Sequence, residues 1–200
     1  MRKAALTVLI TLLTGNAIFG QEIGFRGGLN FAKTGGDSEN VSFKPDFHVG
    51  LFWSDNLTRK FTYYFDATYS RQGGQVDPRV LDNFKINNNY LNISSLMGFK
   101  LYSRLTIFLG PQLGIRLNGR IRQPGVLDEN ATHDLSLLNL SLTTELQYQV
   151  QKRITIYTRY AHGLTSNVSQ DNPNTGRFPD RVGQIGIAVS LGSIDTPGAD

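Results

Sequence analysis

Apolar and polar residues alternate along most of this chain after residue 20. Between residues 138 and 150, the even positions carry leucine, tyrosine or valine with one exception, Thr144, while the odd positions are all polar. Successive side chains of a β-strand point to opposite faces, so a period of two over a dozen residues predicts a strand with one apolar and one polar face.

Eight segments show this alternation, the first near Glu22–Lys33 and the last near Gln184–Leu191. Their connections alternate in length. The short connections are 55–60, 103–104 and 150–153, and the long ones are 34–46, 73–89, 119–134 and 165–183. Alternating short turns and long loops are typical of transmembrane barrels, whose tilted strands need roughly 9–11 residues to cross a bilayer. The pattern predicts an all-β protein, an eight-stranded antiparallel up-and-down transmembrane β-barrel.

Period two does not say which face points outward, and a secreted soluble barrel is the alternative. A soluble barrel would expose Lys, Glu and Arg, whereas the polar face here is mostly Gly, Ser, Thr, Asn, Gln and Ala. Small polar side chains suit the narrow interior of an eight-stranded barrel. The apolar face also places Trp53, Phe61, Tyr63 and Tyr148 near one set of strand ends, as expected for an interfacial aromatic girdle.

The first residues predict export. Arg2 and Lys3 precede an apolar run from Ala4 to Leu13, which is the pattern of a cleavable signal peptide covering residues 1–20. We expect a barrel domain over 21–191 and a short periplasmic tail over 192–200. An even strand number then puts both termini and the short turns in the periplasm, and the four long loops outside the cell. Stretches such as Asn87-Asn88-Asn89 are interpreted as parts of those loops.

Composition excludes several classes of function. The chain has no cysteine, so it forms neither disulfides nor thiolate metal sites. Its formal net charge of +4 falls to about +2 once Arg2 and Lys3 are removed, and no basic patch indicates nucleic-acid binding. No phosphate-binding, dinucleotide or zinc motif occurs. We expect no cofactor, no metal and no nucleic-acid partner; the expected partner is outer-membrane lipid.

Six charged residues fall on the polar parity and are predicted to face the lumen. They are Arg26, Asp66, Lys100, Arg116, Glu145 and Arg159. Unpaired charges inside a narrow barrel are costly, so the favoured interpretation is a structural network of ion pairs that closes the lumen. The alternative is a small pore, mildly anion-preferring because four basic residues face two acidic ones.

Catalytic residues are sparse. His133 and Asp134, near Ser136, could sit at the extracellular mouth, as catalytic groups do in lipid-modifying outer-membrane barrels. Adjacent loop residues rarely form a triad, so we predict a protein that is not an enzyme and assign it no catalytic residue.

Seven short segments follow one another along the predicted strands: 24–30 (GFRGGLN), 47–52 (FHVGLF), 69–73 (YSRQG), 90–93 (YLNI), 110–114 (GPQLG), 159–167 (RYAHGLTSN) and 184–187 (QIGI). In their order and spacing they resemble the PorT-like family of small outer-membrane β-barrel proteins of Bacteroidota. The resemblance implies an eight-stranded barrel, and the founding members are associated with a protein-secretion system. We therefore expect a non-enzymatic binding or scaffold protein of the cell envelope, with partnership in a secretion or assembly machine as its specific form. A family member commonly ends its last strand on an aromatic residue, whereas this chain ends it at Leu191.

Overall fold

A computed structural model describes residues 21–33, 41–76, 85–122, 137–165 and 181–193. These residues form eight strands: β1 Glu22–Lys33, β2 Val41–Asp55, β3 Phe61–Val76, β4 Lys85–Tyr102, β5 Leu105–Arg122, β6 Leu138–Gln151, β7 Ile154–Gly163 and β8 Arg181–Ser193. Within the described ranges, no helix has the length and apolar character needed to cross a membrane.

The strands close into one antiparallel barrel in which each strand pairs with its neighbours in the chain and β8 pairs with β1. Phe25, for example, lies opposite Leu51 on β2 and Val189 on β8. Closure satisfies the backbone hydrogen bonds of both terminal strands and leaves no sheet edge. The predicted eight-stranded up-and-down barrel is confirmed.

The two faces of the wall differ as the alternation predicts. On β1, Phe25 and Leu29 each keep 52% of their surface exposed on the outside, while Arg26 and Asn30 are buried in the lumen. On β6, burial alternates with each residue from Leu138 to Glu145. An apolar outer face around a polar interior suits a barrel surrounded by lipid.

The strands extend further than the alternation predicts, so the boundaries of all four expected long loops were wrong. Residues 119–122 belong to β5 and residues 181–183 to β8, and β8 also includes residues 192 and 193 of the expected tail. Residues 41–46 belong to β2, and residues 73–76 and 85–89 continue β3 and β4 as a paired ladder. Asn87, Asn88 and Asn89, interpreted from sequence as part of a loop, pair with Gly73, Gln72 and Arg71. Their composition favours turns, but hydrogen bonds to both neighbouring strands keep them extended.

One end of the barrel carries the three short turns, 56–60, 103–104 and 152–153, together with Glu22 and Ser193; we call it the short-turn end. The predicted aromatic residues lie on the outer face here. Trp53 packs edge-on against Tyr63 with ring centroids 5.8 Å apart, and Phe61 lies 5.4 Å from Phe99. Such a belt of rings is expected where a barrel meets a membrane interface.

Glycines let large side chains lie flat against the inner wall near the short-turn end. A Cβ atom at Gly98 would overlap the Phe108 ring, and one at Gly24 would overlap Phe52. These close approaches explain why the narrow lumen holds bulky rings at all.

Candidate functional site: the lumen and its short-turn mouth

Four of the six predicted lumen charges meet at one level of the barrel. Arg26 on β1, Asp66 on β3, Glu145 on β6 and Arg159 on β7 form what we call the ionic cluster. Arg159 donates from Nη2 to Asp66 Oδ2 at 2.5 Å and from Nη1 to Asp66 Oδ1 at 3.2 Å, and its Nε donates to Glu145. Arg26 donates to Asp66 at 3.2 Å and to Glu145 at 2.9 Å. Each arginine therefore bridges both carboxylates.

The ionic cluster spans the lumen. β3 and β7 lie on opposite sides of an eight-stranded ring, so the Arg159–Asp66 pair crosses its full width. The four residues are between 0% and 2% exposed. Two positive and two negative charges balance within the cluster, which offsets the large cost of taking them out of water. Neutral donors complete it: Ser94 donates to Asp66 at 3.3 Å and Gln147 to Glu145 at 2.6 Å.

Below the ionic cluster, toward the short-turn end, lies an apolar layer that sequence reasoning missed. Its members are Phe52, Tyr64, Leu96, Phe108, Tyr157 and Ala188. Phe52 stacks on Tyr64 at a centroid distance of 5.4 Å, and Tyr64 packs against Phe108 at 5.3 Å. The available signal was a set of large apolar residues on the otherwise polar parity of β2 to β5.

The guanidinium of Arg26 joins this layer to the ionic cluster. Its central carbon lies 4.0 Å from the centroid of the Tyr157 ring, and its Nη1 donates to the Tyr64 hydroxyl at 3.0 Å. A cation over an aromatic face is stabilised by the ring quadrupole, more strongly away from water. Bonds to two carboxylates and contact with two rings hold Arg26 in one position.

A polar layer of neutral side chains lies on the other side of the ionic cluster. His48 Nδ1 lies 2.7 Å from Asn30 Oδ1, and its Nε2 lies 2.5 Å from the Tyr157 hydroxyl. Asn30 also donates to Ser70 at 2.9 Å and accepts from Gln184 at 2.8 Å. This pattern places the imidazole proton on Nδ1, with Nε2 accepting from Tyr157.

The remaining two predicted lumen charges lie apart from the cluster. Arg116 is buried and donates to the Tyr90 hydroxyl through Nη2 at 2.7 Å and Nε at 3.2 Å. Lys100 is half-buried and lines the opening at the short-turn end. The six predicted lumen charges therefore lie in three different environments: the ionic cluster, the contact between Arg116 and Tyr90, and the opening at the short-turn end. They do not form one network.

Space inside the barrel is unevenly distributed. At the short-turn end, a cavity of about 150 Å³ opens between the strand ends, lined by Lys100, Arg104, Thr106, Gln147 and Gln149 among others; we call it the vestibule. Tyr64 and Phe108 of the apolar layer also line it. On the other side of the ionic cluster, a cavity of about 10 Å³ between Tyr90, Asn92 and Asn139 has room for about one water.

The candidate catalytic residues His133, Asp134 and Ser136 lie outside the described residues, as do the predicted signal peptide and most of the tail. Of the histidines that the structure describes, His48 is buried in the lumen and His162 lies on the outer face, with Nδ1 3.4 Å from the Tyr160 hydroxyl. In the described part of the chain, no three His, Asp or Glu side chains come together as metal ligands.

A closed eight-stranded barrel with an apolar exterior, an aromatic belt and a polar lumen defines the class of transmembrane outer-membrane barrels. The chain belongs to the outer membrane protein β-barrel domain family, whose profile matches residues 19–169. The protein is therefore an outer-membrane β-barrel. The finer identification as PorT-like remains a resemblance.

Solved structures with the same fold include two bacterial barrels. Ail, the attachment invasion locus protein of Yersinia pestis, is 12% identical with a TM-score of 0.55, covering 87% of this chain and 100% of Ail. Neisserial surface protein A is 13% identical with a TM-score of 0.53, covering 84% of this chain and 97% of that protein. No protein of curated function matches the sequence significantly. At these identities the similarity establishes the fold alone.

Proposed function

We propose that this protein is a non-enzymatic binding or scaffold protein of the outer membrane. More specifically, we propose that it is a subunit of a protein-secretion or assembly machine. The observation that carries the proposal is the ionic cluster, which fills the barrel from β3 to β7 with fully buried, mutually paired charges. A lumen occupied in this way leaves the wall and the two ends as the surfaces available for function.

The proposed orientation follows from an exported chain with an even number of strands. Residues 1–20 direct export and are removed. Both chain termini of the barrel domain lie in the periplasm, so the short-turn end faces the periplasm. Outer-membrane lipid surrounds the apolar wall, and the long connections face outward. Loops held on a rigid scaffold are common binding sites.

A barrel of this size can bind through its surface. The crystal structure of Ail in complex with the heparin analogue sucrose octasulfate has a TM-score of 0.52 to this chain at 10% identity. That ligand belongs to Ail. It supports only the general idea that a small barrel of this fold serves as a binding protein.

Affinity purification tests the proposal. The full-length tagged protein, extracted from envelopes in mild detergent, should retain one or more envelope proteins in stoichiometric amounts. A matched control is an unrelated tagged barrel expressed at the same level in the same cells. A wild-type protein that purifies alone, repeatedly and in several mild detergents, contradicts the scaffold function.

The rival enzymatic hypothesis rests on His133 and Asp134 and predicts a different result. Deleting the protein would change lipid A or phospholipid acylation, and His133→Ala would fail to restore it while remaining folded. We expect unchanged lipid profiles in both strains, measured by mass spectrometry of extracted lipids. An altered profile that wild type restores and His133→Ala does not would establish the enzyme.

A further inference from the structure

The short turns of the barrel are strongly basic. They carry five exposed basic residues, namely Arg59, Lys60, Arg104, Lys152 and Arg153. Among the described residues, the acidic ones at this end are Glu22 and Asp55, and both are partly buried. Among the residues that the structure describes, none of the five basic side chains forms an ion pair. All three turns therefore present positive charge that no described carboxylate pairs with directly.

The positive charge continues from the exposed short turns, which form the rim of the barrel, into its interior. Lys100, at the end of β4, and Arg104, in the turn that follows, both line the vestibule. The same wall offers neutral hydrogen-bonding groups from Thr62, Thr106 and Gln147, and one carboxylate from Glu22 on β1. The vestibule therefore combines two cations and one carboxylate, a net positive charge, with several amides and hydroxyls around the barrel axis.

These groups match a carboxylate-bearing ligand. Ammonium and guanidinium groups bind carboxylates through charge-assisted hydrogen bonds, and amides and hydroxyls can bind a peptide backbone. A volume of about 150 Å³ admits a side chain or a short length of extended chain, but no folded element. Tyr64 and Phe108 close it from the apolar layer, so a ligand enters only from the short-turn side.

Position on the axis favours a protein segment over a membrane lipid. Lipid phosphates surround the outside of the wall at the level of the aromatic belt, whereas the vestibule opens at the centre of the barrel end. We propose that the short-turn end binds an extended acidic segment of a periplasmic protein, with Lys100 and Arg104 receiving its carboxylates. This inference rests on the proposed scaffold function and on the periplasmic orientation of the short turns, and it names the chemistry of the partner.

Peptide binding to the full-length barrel tests the inference directly. The probe is a short fluorescein-labelled peptide of alternating aspartate and glycine, and the barrel is held in nanodiscs of zwitterionic phospholipid. Fluorescence anisotropy should show saturable binding that weakens with added salt, because screening reduces exposed ionic contacts. The same peptide with asparagine in place of aspartate should not bind. Equal binding of the two peptides would overturn the proposal.

Two charge-matched variants locate the binding site. Lys100→Gln/Arg104→Gln removes both vestibule cations and should weaken binding of the aspartate peptide by about tenfold. Lys152→Gln/Arg153→Gln removes two rim cations that do not line the vestibule and should weaken it by about threefold or less. Anomalous gel migration before boiling confirms that both variants are folded. Equal losses in the two folded variants would mean diffuse attraction to the rim and would overturn the vestibule as the site.

Lipid headgroups are tested by changing the nanodisc. If the basic turns serve only to hold lipid phosphates, nanodiscs containing anionic phosphatidylglycerol should abolish peptide binding, which would overturn the proposal. Retained binding supports it. Failure of the vestibule inference can be distinguished from failure of the proposed scaffold function. Envelope proteins that still co-purify with Lys100→Gln/Arg104→Gln would contradict this inference alone, whereas a wild-type barrel that purifies without partners contradicts the scaffold function itself.

Discussion

At the scale of single residues, the charge balance of the ionic cluster determines how much its side chains contribute to the free energy of unfolding of the barrel. Asp66→Asn leaves Arg26 and Arg159 facing only Glu145, and breaking a buried pair in this way costs about 3–5 kcal/mol. Arg159→Gln leaves the opposite excess. The double variant restores neutrality, so its loss in the free energy of unfolding should be clearly smaller than the sum of the two single losses. Urea unfolding of barrels folded into lipid vesicles measures all three.

Ser141→Ala is the control for that series. Ser141 is buried in the lumen, and its side chain makes one hydrogen bond to a described residue, Asn139, at a long 3.4 Å. Its effect should stay within about 1 kcal/mol. Losses that add within about 0.5 kcal/mol would show that Asp66 and Arg159 are not coupled, against the geometry of their two shared hydrogen bonds.

Gly98 supports the apolar layer by being small. Gly98→Ala places a methyl group where the Phe108 ring lies, so Phe108 must move within a packed layer, at a cost of about 1–3 kcal/mol. Gly183→Ala is the matched control, since the one described atom that a Cβ there meets is Phe31 O, at 3.9 Å. The same unfolding measurement compares them. A Gly98→Ala barrel as stable as Gly183→Ala would contradict the close packing.

At the scale of elements, the ladders of β3, β4 and β5 continue beyond the alternating pattern. Lys85 pairs with Gln75 on β3 and with Arg122 on β5. Away from the short turn at 103–104, the described β4–β5 ladder has a single register shift, between Asn89 and Tyr90. The β4–β5 hairpin is therefore long, with 18 residues in each strand.

Hydrogen–deuterium exchange distinguishes these extended strands from loops. The backbone amides of residues 85–89 should exchange more slowly than those of the turn at 56–60, because the former bond to strands on both sides. Mass spectrometry of peptides covering both segments provides the comparison within one sample. Equal exchange rates in the two segments would contradict the paired strand at residues 85–89 and support the loop that the sequence predicts there.

At the scale of the whole molecule, the filled lumen predicts a barrel that does not conduct. Purified protein inserted into planar bilayers should give no stable, reproducible single-channel current, because ions would have to displace the buried ionic cluster. Folded insertion is verified by heat-dependent gel migration, and a known porin serves as the positive control. A reproducible conductance would favour the small pore instead.

The number of strands and their order could be predicted from the alternation and the connection lengths, and the composition of the polar parity indicated that this parity faces the lumen. Period two is a property of every strand, so Arg26, Asp66, Glu145 and Arg159 were assigned to the lumen without knowledge of their neighbours. The turn at 103–104 was also predicted, and the turn predicted at 150–153 lies at 152–153, since polar residues there interrupt the apolar parity. Strand ends were less predictable, because Asn87 to Asn89 favour turns locally and are held extended only by pairing.

Only the tertiary structure decided which lumen residues meet. Contacts across a barrel depend on the tilt and stagger of the strands, which periodicity does not report. Lys100 and Arg116 share the parity of Arg26, yet one lies at the vestibule and the other bonds to Tyr90. Phe52, Tyr64 and Phe108 interrupt the polar pattern in the sequence, and they form one layer because β2, β3 and β5 bring them to the same level inside the barrel. The alternation thus determined the two faces of the wall, while closure of the sheet determined what fills its interior.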